Sequence, residues 1–179
     1  MTRVKIAFDL DGVLVGKPFF VPKALLELLV RSPKQGAKKY RFPKSKIEIL
    51  IRKLSHHWFF RPPLKNNLKV TKRLCQNPKI EAHIISGRYS FLINRTRSWA
   101  KKHQLDSLFK SININLDNQQ PHLFKEKMLG QLAIDYFFDD DPITVDYLKK
   151  SQLKTKIYLV KKDDDQKIKN PDFANLLSA

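Results

Sequence analysis

The chain has one cysteine in 179 residues, Cys75. A lone thiol excludes an internal disulfide, and its place in the apolar stripe of an expected helix makes it structural rather than nucleophilic. No apolar run approaches the roughly 20 residues needed to cross a bilayer. The amino-terminal stretch lacks the uninterrupted apolar segment and small-residue cleavage site of a secretory leader, so a cytoplasmic protein is expected. There is no internal repeat and no low-complexity segment. Acidic residues are scarce: 17 Asp and Glu stand against 35 Lys and Arg, giving a net charge of +18 and an isoelectric point near 10. That balance is unusual for an enzyme of small anions and raises nucleic acid, or another polyanion, as a partner. The competing explanation is a generally lysine-rich composition. Pairs such as Lys38-Lys39, Lys101-Lys102, Lys149-Lys150 and Lys161-Lys162 are spread along the chain, as solvated helix and loop positions are.

With 42% hydrophobic residues, the length suits one domain, or a core with a small insertion. The most informative stretch is Val4 to Val13, an apolar run that stops in two carboxylates, Asp9 and Asp11, with Gly12 letting the chain turn away. Consecutive apolar residues suit a strand covered on both faces, and parallel sheets of that kind bind ligands just beyond their strand ends. Two acids this close repel unless a cation or a shared proton compensates, so the pair predicts a divalent metal, proton chemistry, or both.

The rest of the chain alternates helix and strand. Pro22 with Leu25, Leu26, Leu28 and Leu29 predicts a short helix, residues 32 to 43 a loop, and Ile47, Leu50, Ile51 and Leu54 a second helix. His56 to Phe60 and Arg61-Pro62-Pro63 follow, then a third helix marked by Leu64, Leu68 and Leu74. Strands are expected at Ile80 to Ile85, Ile112 to Leu116, Ile134 to Phe138 and Lys156 to Val160, with helices at Phe91 to His103, Phe124 to Leu132 and Val145 to Lys149 between them. Five strands with intervening helices predict an α/β fold with an open, doubly wound (Rossmann-like) parallel sheet. The tail from 161 to 179 alternates basic and acidic runs and is expected to be poorly ordered.

Three strand ends carry chemistry: the acid pair, Ser86-Gly87-Arg88, and Asp139-Asp140-Asp141. Through FDLDGV at 8 to 13, IISGR at 84 to 88, Lys125, and FFDDD at 137 to 141, the chain resembles the haloacid dehalogenase-like (HAD) phosphohydrolases over nearly all of residues 3 to 160. Four motifs in order are far more restrictive than any one of them. The resemblance implies a core of residues 1–20 and 62–179, with a small helical cap at 21–61 inserted after the first strand. It also implies hydrolysis of a phosphate monoester through an aspartyl-phosphate. Asp9 would be the nucleophile, and Mg²⁺ would be held by the Asp9 carboxylate, the Asp11 backbone carbonyl and a carboxylate at 139 or 140. Asp140 is favoured as the direct or water-mediated ligand, with Asp139 supporting it.

Asp11 would protonate the leaving oxygen and then activate water, a role typically worth ~10²–10⁴-fold in rate. Its presence argues against the dehalogenase branch, which does not keep an aspartate there, and against the ion-pumping ATPases, which carry threonine. Ser86 would offer a hydroxyl, and Gly87 its N–H, to the phosphoryl oxygen, the alternative for Ser86 being a helix N-cap. The lysine that neutralises the pentacoordinate charge would be Lys125 rather than Lys127, on the family's usual interval before the acid pair. Arg88 would grip a substrate phosphate or leaving group or else form a surface salt bridge, and Asp141 would be a turn or cap residue.

His56 and His57 are adjacent rather than at ligand spacing and make no metal site. Trp58, Phe59 and Phe60 are expected to pack between insertion and core, and Phe19 and Phe20 fall where the family places its flap. Two subgroups look nearest, the 5′(3′)-deoxyribonucleotidases and the phosphatase half of polynucleotide kinase-phosphatases. The basic charge tilts the expected substrate toward a nucleotide or a nucleic-acid 3′-phosphate. The reading from another class is a non-catalytic, basic nucleic-acid-binding protein on a HAD-like fold. The motif positions speak against it, because all of them are filled.

Overall fold

The computed structural model describes residues 3–18, 40–43 and 45–160. The helix expected after Pro22, the flap residues Phe19 and Phe20 and the tail from 161 lie outside these residues. The described chain runs β1 (Val4–Phe8), α1 (Lys46–Ser55), a 3₁₀ turn (Trp58–Phe60), α2 (Lys65–Cys75), β2 (Ile80–Tyr89) and a second 3₁₀ turn (Ser90–Leu92). It continues through α3 (Ile93–Lys102), β3 (Ser111–Asn115), α4 (Pro121–Leu132), β4 (Tyr136–Asp139), α5 (Pro142–Lys149) and β5 (Lys156–Leu159). The five strands form one parallel sheet in the order β3-β2-β1-β4-β5. β1 is central, and the order reverses beside it, which is where open α/β sheets place their ligands.

Strand periodicity divides the core in two. Ile6 and Phe8 of β1 point into one apolar cluster with Trp99, Leu105 and Phe138, while Ala7 points to the other face with Ile85, Phe137, Leu129 and Val145. Both faces are buried, which explains why the strands read as unbroken apolar runs rather than as alternation. Phe8 stacks on Phe138 of the neighbouring strand, with ring centroids 5.2 Å apart, and meets Phe109 edge-on. The packing holds the carboxyl ends of β1 and β4 side by side.

Three segments depart from expectation in ways that bear on the site. β2 does not end before Ser86 but runs through Ser-Gly-Arg to Tyr89, with a bulge in its pairing to β3 between Ser86 and Tyr89. Next, the helix foreseen around Ile47 to Leu54 exists as α1, yet those four apolar residues are exposed, Ile47 by 71%, and Arg52 is its buried residue. Finally, Phe59 is 63% exposed instead of packing between insertion and core, and the Lys102 ammonium sits 3.2 Å from the centroid of the Trp58 ring. After β1 the chain is stitched to its return point: the Gly16 N–H donates to Pro62 O (2.7 Å) and the Leu64 N–H to Leu14 O (2.9 Å). The Trp99 indole N–H donates to Arg61 O (2.8 Å), fixing the residue just before that return.

Candidate active site

β1 delivers Asp9 to the sheet edge, where its N–H donates to Phe138 O (2.8 Å) and its side chain is buried. The chain then makes one tight turn, with Leu14 and Val15 both donating to Leu10 O. Gly12 stands in that turn at φ +77°, a conformation that disfavours any residue with a Cβ, and a Cβ there would lie 1.9 Å from Asp140 Oδ2. The glycine therefore lets the Asp140 carboxylate close on the acid loop. Asp9, Asp139 and Asp140 each offer an oxygen within 4.8 Å of the others. Three hard oxygen donors gathered at one point, with a lysine as their near counter-charge, are a donor set suited to a divalent cation.

Lys125 reaches the cluster from α4, whose first turn starts at Pro121. Its Nζ lies 2.7 Å from Asp139 Oδ2 and 3.2 Å from Asp9 Oδ1, and its side chain is buried. Lys127, the other candidate, is exposed. Asp139 is wholly buried and spends its second oxygen on the Asp141 N–H (3.0 Å), a supporting position, whereas Asp140 lines the cavity. Asp141 caps α5, as expected of a cap residue, by accepting from the Thr144 N–H, and it also receives the Tyr40 hydroxyl (2.7 Å).

Asp11 stands apart from this cluster. Arg88 grips its carboxylate with two parallel bonds, Nε at 2.6 Å and Nη2 at 2.7 Å, and Arg61 Nη2 donates to the same carboxylate. The surface salt bridge weighed for Arg88 is thus a buried one. Its third donor goes to Thr96 Oγ1 (3.1 Å). Ser86 is wholly buried inside β2, and the cap of the following 3₁₀ turn is Tyr89, so Ser86 is no N-cap. Gly87 packs against α4: a Cβ on it would come within 2.7 Å of the Pro121 Cβ. A cavity of about 160 Å³ is bordered by both groups, by Asp9, Lys125 and Asp140 and by Asp11, Arg88 and His56.

No family model matches the sequence, and no curated protein matches it. Solved structures do. A haloacid dehalogenase-like family hydrolase of Streptococcus pneumoniae superposes with a TM-score of 0.60 at 14% identity, covering 97% of this chain and 90% of that one. A HAD-family enzyme from Bacteroides thetaiotaomicron, solved as an Asp-to-Ala variant with magnesium and inorganic phosphate, gives 0.54 at 12% identity, covering 90% and 96%. A chain of the Pnkp1/Rnl/Hen1 RNA repair complex gives 0.51 at 15% identity over 91% of this chain, which spans only 44% of that longer one. The fold is the haloacid dehalogenase-like one.

Within this HAD-like frame the electrostatics separate the two acids of the first motif. Burial raises the Asp9 pKa well above the usual carboxylate range, and Asp139, Asp11 and Asp140 add to it against the pull of Lys125. Burial also presses upward on Asp11, but Arg61 and then Arg88 outweigh it and hold that carboxyl well below its ordinary range. Lys125 goes up despite its burial, because Asp139 and Asp9 stabilise its charge.

Sequence reasoning did not assign Arg61, Arg52, His56 or Tyr40 to this site. His56 lies beside the arginines with Nδ1 2.8 Å from Arg52 O, and burial together with Arg61 and Arg88 lowers its pKa to about 3. Tyr40 is held by Gln120 through both its backbone N–H and its C=O. A signal for Arg61 was available: it stands at the end of an aromatic run and directly before two prolines, where a basic side chain with no solvated context is out of place.

Proposed function

We propose that this chain is a Mg²⁺-dependent phosphatase that hydrolyses a phosphate monoester through an aspartyl-phosphate on Asp9. The observation that carries the reading is the meeting of Asp9, Asp139, Asp140 and Lys125 at neighbouring strand ends beside the arginine-held Asp11. Three carboxylates whose oxygens converge on one point suit a cation, and the magnesium-bound neighbour from Bacteroides supports that choice. Asp9, Asp140 and the Asp11 backbone carbonyl would hold the ion, which supplies positive charge to the phosphoryl oxygens when bound.

In the first step an Asp9 carboxylate oxygen attacks phosphorus and the bond to the leaving oxygen breaks, with Asp11 delivering a proton to that oxygen, a proton it can hold once bound substrate draws Arg61 and Arg88 off its carboxylate. In the second step Asp11 takes a proton from water, the water oxygen attacks phosphorus, and the Asp9–phosphorus bond breaks to release orthophosphate. Lys125 spreads positive charge over the pentacoordinate phosphorus and keeps Asp9 oriented. Ser86 and Gly87 contribute a hydroxyl and an N–H to the phosphoryl group. Arg88 binds substrate as well as Asp11, and residues 21–61 form the cap that sets substrate choice.

The strong basic charge, together with the neighbour from an RNA repair complex, favours a nucleotide or nucleic-acid end as substrate. A purely binding role for a basic protein of this fold predicts affinity for nucleic acid and no turnover. Hydrolysis of p-nitrophenyl phosphate separates the two. The expected outcome is turnover with Mg²⁺, its loss with EDTA, and a fall of ~10³-fold or more in Asp9→Asn. Full activity in Asp9→Asn overturns the nucleophile, and nucleic-acid binding without turnover of any phosphate ester overturns the enzyme.

A further inference from the structure

The cavity wall that carries Asp11 is lined by Arg88 and Arg52 and backed by Arg61 and Arg41. Asp11 takes Arg61 and Arg88, and Glu48 takes Arg41 (2.6 Å) and Arg52 (2.9 Å), so two arginines converge on each carboxylate. These guanidiniums are not solvated surface groups. The Arg88 side chain is 3% exposed and those of Arg61 and Arg52 are 7% exposed, whereas Asp11 between them is 33% exposed, toward the cavity. Arg61 Nε is buried with no hydrogen-bond partner among the described residues. A guanidinium held dry with an unused donor carries a cost unless an acceptor completes it. His56, on the same wall, is neutral and adds no charge of its own at physiological pH. The intervening stretch 19–39 brings one acid, Glu27, against five bases in sequence.

We propose that Arg88 on the cavity wall, with Arg61 behind Asp11, forms a subsite for a second phosphate carried by the leaving group. The substrate is then a phosphate monoester with another phosphate next to the scissile one. This rests on the phosphatase reading above and names its substrate class. Paired guanidiniums match phosphate oxygens in the same forked geometry that they now offer Asp11, and a dianion or a diester accepts more donors than one carboxylate. Arg52 lines the same wall and extends its basic face. The second phosphate has two sources with the same chemistry: the backbone of a polynucleotide bearing a 3′-phosphate, or a free nucleoside bisphosphate.

The test compares kcat/KM for a nucleoside 3′-monophosphate, a nucleoside 3′,5′-bisphosphate and a 3′-phosphorylated dinucleotide, in wild type, Arg61→Gln and Arg88→Lys. Wild type is expected to favour the two substrates with a second phosphate by at least ~10-fold, a preference of the size one charge-assisted contact confers. That ratio should collapse toward one in both variants. Whichever of the bisphosphate and the dinucleotide is preferred identifies the source. If the arginines serve only to position Asp11, every substrate slows by the same factor and the ratio survives, which overturns the proposal. Equilibrium binding of the same three compounds to Asp9→Asn protein keeps the question separate from catalysis. A wild-type chain that turns over none of them, yet binds the bisphosphate ~10-fold tighter than the monophosphate with the gap closed by Arg61→Gln, refutes the phosphatase and retains the subsite. Equal binding of mono- and bisphosphate refutes the subsite whatever the activity.

Discussion

The cavity is bordered by two groups of opposite charge, an acid end and an arginine end, each built by burying like charges side by side. In one, Asp9 and Asp139 share Lys125 with Asp140 close by, and in the other Arg61 and Arg88 share Asp11. Burying a charge costs several kcal/mol unless pairing returns it, and among the described ion pairs one lysine answers two carboxylates while one carboxylate answers two arginines. The acid surplus is suited to a cation and the arginine surplus to an anion. Asp9 and Asp11 sit two residues apart in one turn yet belong to different ends, one pushed up in pKa and the other held down. The difference is the chemistry: a phosphate monoester needs both a cation to make it approachable and groups that recognise what leaves.

The strongest way to break this comparison is to remove the cation that Asp9 and Asp139 share. Lys125→Met takes away the ammonium that Asp9 and Asp139 share and leaves two buried carboxylates without it. In EDTA the variant is expected to lose ~3–5 kcal/mol of stability in urea unfolding, the cost of breaking a buried pair from one side. Millimolar Mg²⁺ should then restore part of that loss, and stabilise the variant more than wild type, because binding to the folded state alone adds to stability. A variant as stable as wild type in EDTA would mean that these acids do not carry the charge surplus assigned to them.

The mirror experiment is Asp11→Asn. It keeps an acceptor beside Arg61 and Arg88 but removes the charge, and the expected loss is smaller, ~2–3 kcal/mol, in the range of a charge-assisted hydrogen bond. Here Mg²⁺ should give no special rescue and orthophosphate should. A thermal shift with 10 or more millimolar phosphate that is no larger in the variant than in wild type places the arginines in a merely structural role.

The acid end could be read in the sequence, whereas of the arginine end only Asp11 and Arg88 could, for a physical reason. Asp9 ends an apolar run, Asp139 and Asp140 end another, and Lys125 lies on a helix just before the second, so local patterning places all four. The parallel, five-stranded sheet follows from the alternation of strands and helices. Arg52, His56 and Arg61 come instead from a stretch positioned by distant contacts, the Trp99 indole on Arg61 O and the Gly16 N–H on Pro62 O. There the local signal misleads. The periodicity of α1 implies that Ile47, Leu50, Ile51 and Leu54 face inward, whereas its buried residue is Arg52, paired with Glu48 one turn away. Gly87 misled in a second way. It reads as the end of a strand, but it is a close-approach point against Pro121 inside a strand that continues past a bulge to Tyr89.

The smallest effect tests whether the arginine surplus reaches beyond Asp11. His56 carries no metal or substrate role in this scheme, yet burial and the guanidiniums of Arg61 and Arg88 lower its pKa to about 3, against about 6.5 in an unfolded chain. Between those values the unfolded state binds the proton and the folded state does not. Stability must therefore rise with pH across that window and fall as pH drops below about 6.5. His56→Gln has no proton to bind in either state, so the ΔG of unfolding should fall less steeply from pH 7 to pH 5 than in wild type. The difference should be at most ~1–2 kcal/mol, since the ring is partly open to solvent. His83 is also lowered in pKa, but it lies on β2 beside Glu81 and Ser111, away from the arginines, and it is common to both proteins. Identical slopes in the two would show His56 titrating normally, with the positive field of the arginine pair spent entirely on the one carboxylate it holds.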